Sequence, residues 1–221
     1  VNLVSPGFLD YFHKRYPDVS YSFVTNGIDD EFISRDWQGS ERNERIKVLY
    51  AGNIGEGQGL HEILPELAGK FSEIDFHVYG GGGRASNFEN AIQEFQLDNL
   101  KLFPPVKRSE LIPLYSEADI LFLHLNRHKA FERVLPSKVF EYAATGKPIL
   151  AGVGGYSAKF IREQIPNSFV FDPGDVTQGV QGIKQLELQH TDRRSFIEAY
   201  ARDELSASLA NDIESFLGVS R

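Results

Sequence analysis

The stretch that decides the fold is Ile46–Gly59, with the sequence IKVLYAGNIGEGQG. Its first six residues are mostly apolar with little alternation, which is typical of a strand buried on both faces of a parallel sheet. Four glycines follow within the next eight residues and let the backbone turn tightly. The pattern of Leu60–Phe71 then predicts a helix. Together these features indicate one strand–loop–helix unit of an α/β protein.

The same unit recurs along the rest of the chain. Five further apolar runs predict strands at Ile74–Tyr79, Leu100–Phe103, Asp119–Leu125, Pro148–Ala151 and Ser168–Phe171. Helices are predicted between them at Ser86–Phe95, Ser109–Ser116, Pro136–Thr145 and Ala158–Ile165. Six such steps predict an α/β fold with a Rossmann-like, doubly wound, six-stranded parallel sheet. For the strand order 3-2-1-4-5-6, ligands bind beyond the carboxyl ends of the first and fourth strands.

The first 44 residues do not follow this repeat. Val1–Val4 and Tyr21–Val24 are predicted as short strands, Gly7–Arg15 as a helix, and Ile28–Glu44 as irregular. We expect residues 1–44 to be an interdomain linker and the tail end of a preceding N-terminal domain. Residues 45–221 are then expected to form the Rossmann-like domain.

Composition narrows the functional classes. The chain has 221 residues, 31 acidic against 23 basic, and a formal net charge of −8 at pH 7. This balance argues against a broad nucleic-acid surface, although a local anion site is permitted. Cysteine is absent, which excludes disulfides and cysteine nucleophiles. No apolar run approaches the ~18–20 residues of a membrane span, and we expect a cytoplasmic protein.

The first candidate site is the glycine-rich segment Gly52–Gly59. Its glycines allow close approach of the backbone to a ligand, and the following helix N-terminus favours anions. The segment lacks the Gly-Lys-Ser/Thr ending of a P-loop and the register of a dinucleotide fingerprint. A phosphate-binding loop and an ordinary strand-to-helix connection both stay open on this segment alone.

The second candidate site is Asn126–Leu135, a ten-residue loop where about two to six residues are usual. A local positive cluster here suits a diphosphate, and a solvated surface loop is the alternative. The cluster consists of Arg127, Lys129 and Arg133 against Glu132, with Lys138 just beyond.

Two further features belong to the same predicted edge of the sheet. Glu141 lies just over one turn into the predicted helix, where a carboxylate can accept two hydrogen bonds from a ribose diol. Its alternative role is an ordinary surface pair with Lys138. Gly80–Gly83 follow the second strand and either admit a ligand or make a turn, and we favour the turn.

Several motifs in order carry a family resemblance. They are Ser5-Pro6, Val24–Asp29 (VTNGID), Ala51–Gly55 (AGNIG) with Gln58–Leu60, Val78–Gly82 (VYGGG), Leu135–Tyr142 (LPSKVFEY) with Gly146–Ile149 (GKPI), and Asp172–Asp175 (DPGD). The chain resembles the C-terminal, nucleotide-sugar-binding domain of GT-B glycosyltransferases of the retaining family 4, also called group 1. The resemblance is closest to bacterial enzymes of surface polysaccharide assembly.

The resemblance implies an activity and partners. It implies transfer of a sugar, with an N-acetylated amino sugar as one candidate, from a UDP-sugar to a glycan or lipid-linked acceptor. The donor is expected on this domain and the acceptor mostly on the N-terminal domain. No metal or other cofactor and no nucleic acid are implied, and peripheral contact with the inner face of a membrane is allowed. The alternatives are a non-catalytic nucleotide-sugar-binding or regulatory protein and a GT-B-fold UDP-sugar epimerase.

The resemblance also implies roles for residues. By motif position Glu141 corresponds to the glutamate that binds the ribose hydroxyls. Arg133 replaces an earlier glutamate of the family, with Glu132 beside it, and Gln58 replaces a lysine often found in the first loop. We therefore expect the charge on the diphosphate to be met by Arg127, Arg133 or Lys138. The expected catalytic residues are Glu132, Arg133 and Lys138; the expected donor-binding residues are Gly52, Asn53, Ile54, Gly55, Gln58, Gly81, Arg127, Leu135, Pro136, Ser137 and Glu141.

Overall fold

The computed structural model describes residues 1–37 and 44–218. Six strands form one parallel sheet in the order β3-β2-β1-β4-β5-β6. The strands are β1 Ile46–Asn53, β2 Ile74–Gly81, β3 Leu100–Phe103, β4 Ile120–His124, β5 Ile149–Gly152 and β6 Ser168–Phe171. The predicted doubly wound sheet and its strand order are confirmed. The order reverses between β1 and β4, so their carboxyl ends border the crevice.

Helices cover both faces of the sheet. They are α1 Leu9–His13, α2 Asp30–Ile33, α3 Leu60–Ala68, α4 Ala85–Glu94, α5 Arg108–Glu117, α6 Lys138–Ala144, α7 Gly155–Gln164, α8 Val176–Gln185, α9 Arg194–Tyr200 and α10 Arg202–Leu217, with 3-10 turns at Pro6–Phe8 and Lys129–Arg133. In the described ranges, none of these helices is long and apolar enough to cross a membrane.

Strand β1 shows why the apolar runs alternate so little. Leu49 and Ala51 face a core shared with α2, α5, α6, α7 and α9, whereas Val48 and Tyr50 face a core shared with α3, α4 and α8. Successive side chains of a strand point to opposite faces, so a sheet covered on both faces needs apolar residues at every position. Because all six strands are parallel, the loops that follow them leave the sheet at one edge, between the two cores.

Strands β1 and β2 approach so closely that Gly80 is required. The two strands pair along their whole length, from Ile46 with Ile74 to Asn53 with Gly81. A Cβ on residue 80 would lie 1.9 Å from the carbonyl oxygen of Gly52. Part of the Gly80–Gly83 segment thus extends β2, and the favoured turn follows it.

The prediction of an irregular Ile28–Glu44 segment was wrong for its first part. Helix α2 forms there, and Ile28, Phe32 and Trp37 are buried in the core with Tyr115. Phe32 and Trp37 stack with ring centroids 6.0 Å apart. Burial of these three apolar side chains against the core stabilises the segment, although most of the residues around them are polar. The stretch 38–43 lies outside the described residues.

The short elements predicted near the N-terminus were also wrong in detail. Val1–Val4 and Tyr21–Val24 share one isolated bridge, between Asn2 and Ser22, instead of forming strands. The predicted helix Gly7–Arg15 is a 3-10 turn followed by the five-residue α1. A single bridge lacks the consecutive pairs of a ladder, so neither segment becomes a strand. The division of the chain at residue 44 stays a prediction.

Candidate functional site

The two predicted loops meet at the reversal point of the sheet. Gly52–Gly59, here called the glycine loop, follows β1, and the backbone N–H of Asn126 after β4 donates to Gly57 O at 2.8 Å. Gly59 has φ of +56°, and a Cβ there would lie 3.1 Å from the Asn126 side chain. The Phe131 ring packs against Gly57. The two loops thus lie side by side at this edge of the sheet, and a shared ligand site between them stays a prediction.

Neutral side chains make the hydrogen bonds within the glycine loop. Gln58 Oε1 accepts hydrogen bonds from Asn53 Nδ2 at 2.9 Å and from the Gly55 N–H at 3.2 Å. The Tyr50 hydroxyl donates to Asn53 O at 2.7 Å. Gln58 is therefore a brace within the loop. The N–H groups of Glu56 and Gly57 donate to no acceptor in the part of the chain that the structure describes, so both can meet an anion.

The Gly80–Gly83 segment at the end of β2, together with Arg84, contacts the glycine loop from the side of β2. The Ile54 N–H donates to Gly81 O at 2.8 Å, and the Arg84 N–H donates to Ile54 O at 2.9 Å. The Arg84 guanidinium also donates to Glu56 Oε2 at 2.6 Å. This pair offsets the negative charge of Glu56, the one acidic residue of the loop.

Lys138, the first residue of α6, brings a positive charge to the glycine loop. A Cβ on Gly52 would lie 3.1 Å from both Cε and Nζ of Lys138. Within the described residues the ammonium has neither a hydrogen-bond nor an ion-pair partner, and it lies 5.8 Å from the centroid of the Tyr142 ring. Burial lowers the pKa of Lys138, an effect that Glu141 opposes and Arg108 increases. A bound anion would relieve this unpaired charge.

Glu141 lies one turn further along α6 and is largely buried. Its Oε1 accepts from Arg108 at 3.1 Å and its Oε2 accepts from the Tyr115 hydroxyl at 3.3 Å. Burial and then the Glu141 charge raise the pKa of Tyr115, so its phenol stays a donor. Each carboxylate oxygen keeps capacity for a further hydrogen bond. The alternative pair of Glu141 with Lys138 does not form; Arg108 takes that place.

Arg108 joins Glu141 to the segment that precedes the sheet. Its guanidinium also donates to Asp29 and Glu31, and Asp29 accepts from Arg202. We call these five residues the linker cluster. The sequence motif around Asp29 was assigned to the linker, but nothing in the sequence indicated Arg108 or Arg202 as its partners.

Arg127 and Arg133, the other two predicted cations, make their polar contacts elsewhere. Arg127 Nε donates to Pro173 O in the Asp172–Asp175 segment. The Arg133 guanidinium lies 5.4 Å from the Tyr11 ring centroid, and its carbonyl accepts from Ser5. Lys138 is the predicted cation that the structure places against the glycine loop.

Glu132 is exposed beside a cavity of about 380 Å³ at the ends of β4, β5 and β6. Arg127, His128, Phe131 and Asp172 also line it. An aromatic ring with charged and polar groups around it is a common environment for a sugar.

The start of α6 places Lys138 and Glu141. Leu135 is buried and anchors the chain, Pro136 O accepts from the Val139 N–H at 3.1 Å, and Ser137 is the exposed N-cap residue. The predicted helix Pro136–Thr145 thus begins two residues later and ends one residue earlier than expected.

This arrangement can bind an anion and hydroxyl groups side by side. Lys138 and the free N–H groups of the glycine loop suit phosphate oxygens, and Glu141 suits a diol about one helical turn away. Across residues 1–37 and 44–218, no group of three or more His, Cys, Asp or Glu side chains could hold a metal ion. That the chemistry needs no metal or other cofactor stays a prediction.

Comparison with known proteins identifies the family of the chain. Residues 33–203 match the family model described as "Glycosyl transferases group 1". This match spans most of the chain, which therefore belongs to the group 1 glycosyltransferases.

Individual relatives agree with this assignment. The chain is 28% identical over 179 residues to the putative colanic acid biosynthesis glycosyl transferase WcaI of Escherichia coli K12, covering 77% of this chain and 43% of WcaI. A glycosyltransferase from Rickettsia africae ESF-5 shares the fold at a TM-score of 0.78 and 19% identity, covering 100% of this chain and 64% of that one. Anabaena Alr3699/HepE, solved in complex with UDP and glucose, gives a TM-score of 0.73 and 16% identity, covering 97% and 62%. The chain thus spans between about two fifths and two thirds of the length of these proteins.

Proposed function

We propose that this chain is the donor-binding part of a retaining glycosyltransferase that moves a sugar from a UDP-sugar to a glycan or lipid-linked acceptor. The observation that carries this proposal is the unpaired Lys138 ammonium beside the glycine loop. A half-buried cation without a partner is costly unless a ligand pairs with it. The diphosphate of a nucleotide sugar is such a ligand.

The glycine loop and Lys138 would hold the diphosphate from two sides. The free N–H groups of Glu56 and Gly57 would donate to phosphate oxygens, and Lys138 would supply the positive charge. Gly52, Asn53, Ile54, Gly55, Gln58 and Gly81 would act mainly by shaping the loop, as their mutual contacts indicate.

Glu141 would bind the ribose of the donor. Its two oxygens already face a fixed direction because Arg108 and Tyr115 each hold one of them. The start of α6 would fix where Lys138 and Glu141 lie relative to the glycine loop. The residues that set this start are Leu135, Pro136 and Ser137. A carboxylate that is oriented before binding loses less freedom on binding, which favours affinity.

The sugar ring would occupy the cavity of about 380 Å³ next to Glu132. Arg127 and Glu132 would contact its hydroxyl or N-acetyl groups, and Phe131 would pack against its face. Arg133, whose side chain lies over Tyr11, would act by shaping this loop rather than by touching the reacting atoms.

The proposed chemistry needs stabilisation of a leaving group. When the bond between the anomeric carbon and the phosphate oxygen breaks, negative charge grows on UDP. The acceptor hydroxyl oxygen forms the new bond to the same carbon, and its proton passes to the departing phosphate oxygen. In this proposal Lys138 and the oriented N–H groups would lie beside the phosphate where that charge grows, so they would stabilise the transition state more than the ground state.

The choices of nucleotide and acceptor come from the relatives. HepE was solved with UDP and glucose, and WcaI is named for colanic acid biosynthesis. We therefore propose uridine as the base, a polysaccharide intermediate as the acceptor, and a cytoplasmic site of action with peripheral contact at the inner face of the membrane. The acceptor would lie mainly on a preceding N-terminal domain.

A transfer assay with the complete protein tests this proposal. Labelled sugar from a UDP-sugar should appear in the glycan product with its anomeric configuration retained. Inversion of configuration would contradict the retaining mechanism. Conversion of the UDP-sugar without acceptor would instead support the epimerase alternative, and donor bound but never consumed would support the non-catalytic one.

A further inference from the structure

His124, the last residue of β4, connects two loops at the edge of the candidate site. Its Nδ1 lies 2.6 Å from Gln58 O, and its Nε2 accepts from the Gly174 N–H at 3.0 Å. A backbone N–H can only donate, so Nε2 must be unprotonated. Nδ1 then carries the hydrogen and donates it to the Gln58 carbonyl. The two partners thus define one neutral tautomer.

The imidazole is packed so that it keeps this orientation. His124 is buried and lies parallel to the Phe122 ring, with centroids 6.1 Å apart, and next to Phe171. A Cβ on Gly152 would lie 2.3 Å from His124 Cδ2, so that glycine leaves just enough room for the ring. No local sequence pattern indicates this role, because Gln58 and Gly174 are 66 and 50 positions away.

We propose that His124 is a positioning residue, which fixes the glycine loop in the shape that receives the donor diphosphate. This inference rests on the proposed function. His124 holds the carbonyl of Gln58, and the side chain of Gln58 braces Asn53 and Gly55. One anchored residue thus sets both ends of the turn that carries the free N–H groups.

The other bond of His124 ties the loop to a rigid support. Gly174 belongs to Asp172–Asp175, where Asp175 caps α8 by accepting from the Gln178 N–H at 2.9 Å. Through His124 the glycine loop is thereby connected to the start of α8, which packs on the sheet. Orientation of this kind before binding reduces the ordering cost that a ligand must meet.

Two conservative variants separate the two hydrogen bonds. An asparagine amide reaches about as far as Nδ1 of histidine and can still donate to Gln58 O. A glutamine amide reaches about as far as Nε2 and can still accept from Gly174. His124→Asn therefore keeps the bond to the glycine loop, whereas His124→Gln keeps the bond to the Asp172–Asp175 turn. His124→Phe removes both, and His190→Asn removes an exposed imidazole elsewhere as the control.

Titration of each variant with UDP, combined with amide hydrogen exchange of the free chain, tests the inference. We expect His124→Gln and His124→Phe to weaken UDP binding about tenfold and to speed exchange in the glycine loop. His124→Asn should stay within about threefold of wild type even if its thermal midpoint falls as far as that of His124→Gln. A purely structural role would make affinity follow thermal stability in all three variants.

The failures of the two proposals are distinguishable. If wild type binds UDP and the folded His124→Gln and His124→Phe variants bind it equally well, the positioning role is wrong and the proposed function stands. If wild type does not bind UDP at all, the proposed function fails, and the role of His124 in donor binding fails with it. His190→Asn should match wild type in every measurement.

Discussion

Two charged regions, the linker cluster that includes Glu141 and the glycine loop with Lys138, are built in opposite ways. In the linker cluster, Arg108 contacts three carboxylates, and one of these also contacts Arg202. At the glycine loop, neutral amides and one ion pair, between Arg84 and Glu56, make the contacts, and the ammonium of Lys138 has no partner within the described residues. The first region has its charges paired, and the second offers an unpaired charge at the mouth of the crevice.

This difference separates support from binding. Paired surface charges mainly orient side chains and contribute little free energy each. An unpaired, half-buried cation lowers stability until an anion arrives. We infer that the linker cluster orients Glu141, whereas Lys138 and the glycine loop bind the ligand.

The largest expected effect concerns His124, the neutral histidine that holds the glycine loop through Gln58 O. Burial, and then Arg127, lower the pKa of His124 to about 4, although the bond to Gln58 opposes this. In the unfolded chain the His124 imidazole is protonated as the pH falls through about 6.5, whereas in the folded chain it stays neutral until about pH 4. This contribution to the free energy of unfolding is therefore fully present above pH 6.5 and is lost as the pH falls towards 4. This amounts to about 3 kcal/mol between pH 7 and pH 4.

Denaturant unfolding of wild type and His124→Asn at several pH values measures this loss. The variant should lose about 3 kcal/mol less than wild type over the same range, because His77 and His190 titrate alike in both proteins. Equal acid sensitivity of the two proteins would mean that His124 is not held neutral by the fold.

The second expected effect tests the unpaired cation. Lys138→Gln should weaken UDP binding by about 2–3 kcal/mol, because charge-assisted hydrogen bonds to phosphate are lost. The free chain should be as stable as wild type or more stable, since an unpaired buried charge is removed. Calorimetric titration and thermal unfolding measure the two quantities. Lys159→Gln, at an exposed position on α7, is the matched control and should change neither.

The third expected effect tests the oriented carboxylate. Glu141→Ala should weaken binding of UDP and of uridine alike by about 1.5–2 kcal/mol, because both ligands carry the ribose. Lys138→Gln should affect UDP alone. Glu94→Ala, exposed on α4, serves as the control for loss of a carboxylate. Unchanged uridine binding in Glu141→Ala would show that Glu141 does not contact the ribose.

The smallest expected effect falls on the linker cluster itself. Arg108→Gln should lower the free energy of unfolding by less than about 1 kcal/mol, because its ion pairs are partly exposed. UDP affinity should fall by no more than about threefold, since Tyr115 still holds one oxygen of Glu141. A loss larger than that of Glu141→Ala would mean that Arg108 binds the ligand directly and that the two regions are not distinct.

The parts predicted correctly from sequence were those with local signals. Buried parallel strands leave continuous apolar runs such as that of β1, and glycines mark the loop that follows it. Strand order and loop convergence then follow from general rules of doubly wound sheets. The start of α6 was placed within two residues because Pro136 and Ser137 are typical of helix starts.

The missed parts depend on contacts between distant positions. Arg108 contacts Glu141 and Asp29, which are 33 and 79 positions away, and no local pattern links them. Burial of Trp37 depends on a core assembled from several helices. Arg133 was expected at the diphosphate from its charge and its place in the basic loop, whereas in the structure its guanidinium, at the end of the 3-10 turn, lies over the Tyr11 ring. Such placements follow from tertiary packing rather than from residue type.

The most direct measurement compares UDP with uridine in one calorimetric titration series on wild type and Lys138→Gln. If the glycine loop and Lys138 grip a diphosphate, UDP should bind wild type at least about a hundredfold more tightly than uridine, and Lys138→Gln should remove most of that difference. If UDP binds wild type no more tightly than uridine does, the claim that the glycine loop and Lys138 bind the diphosphate is contradicted.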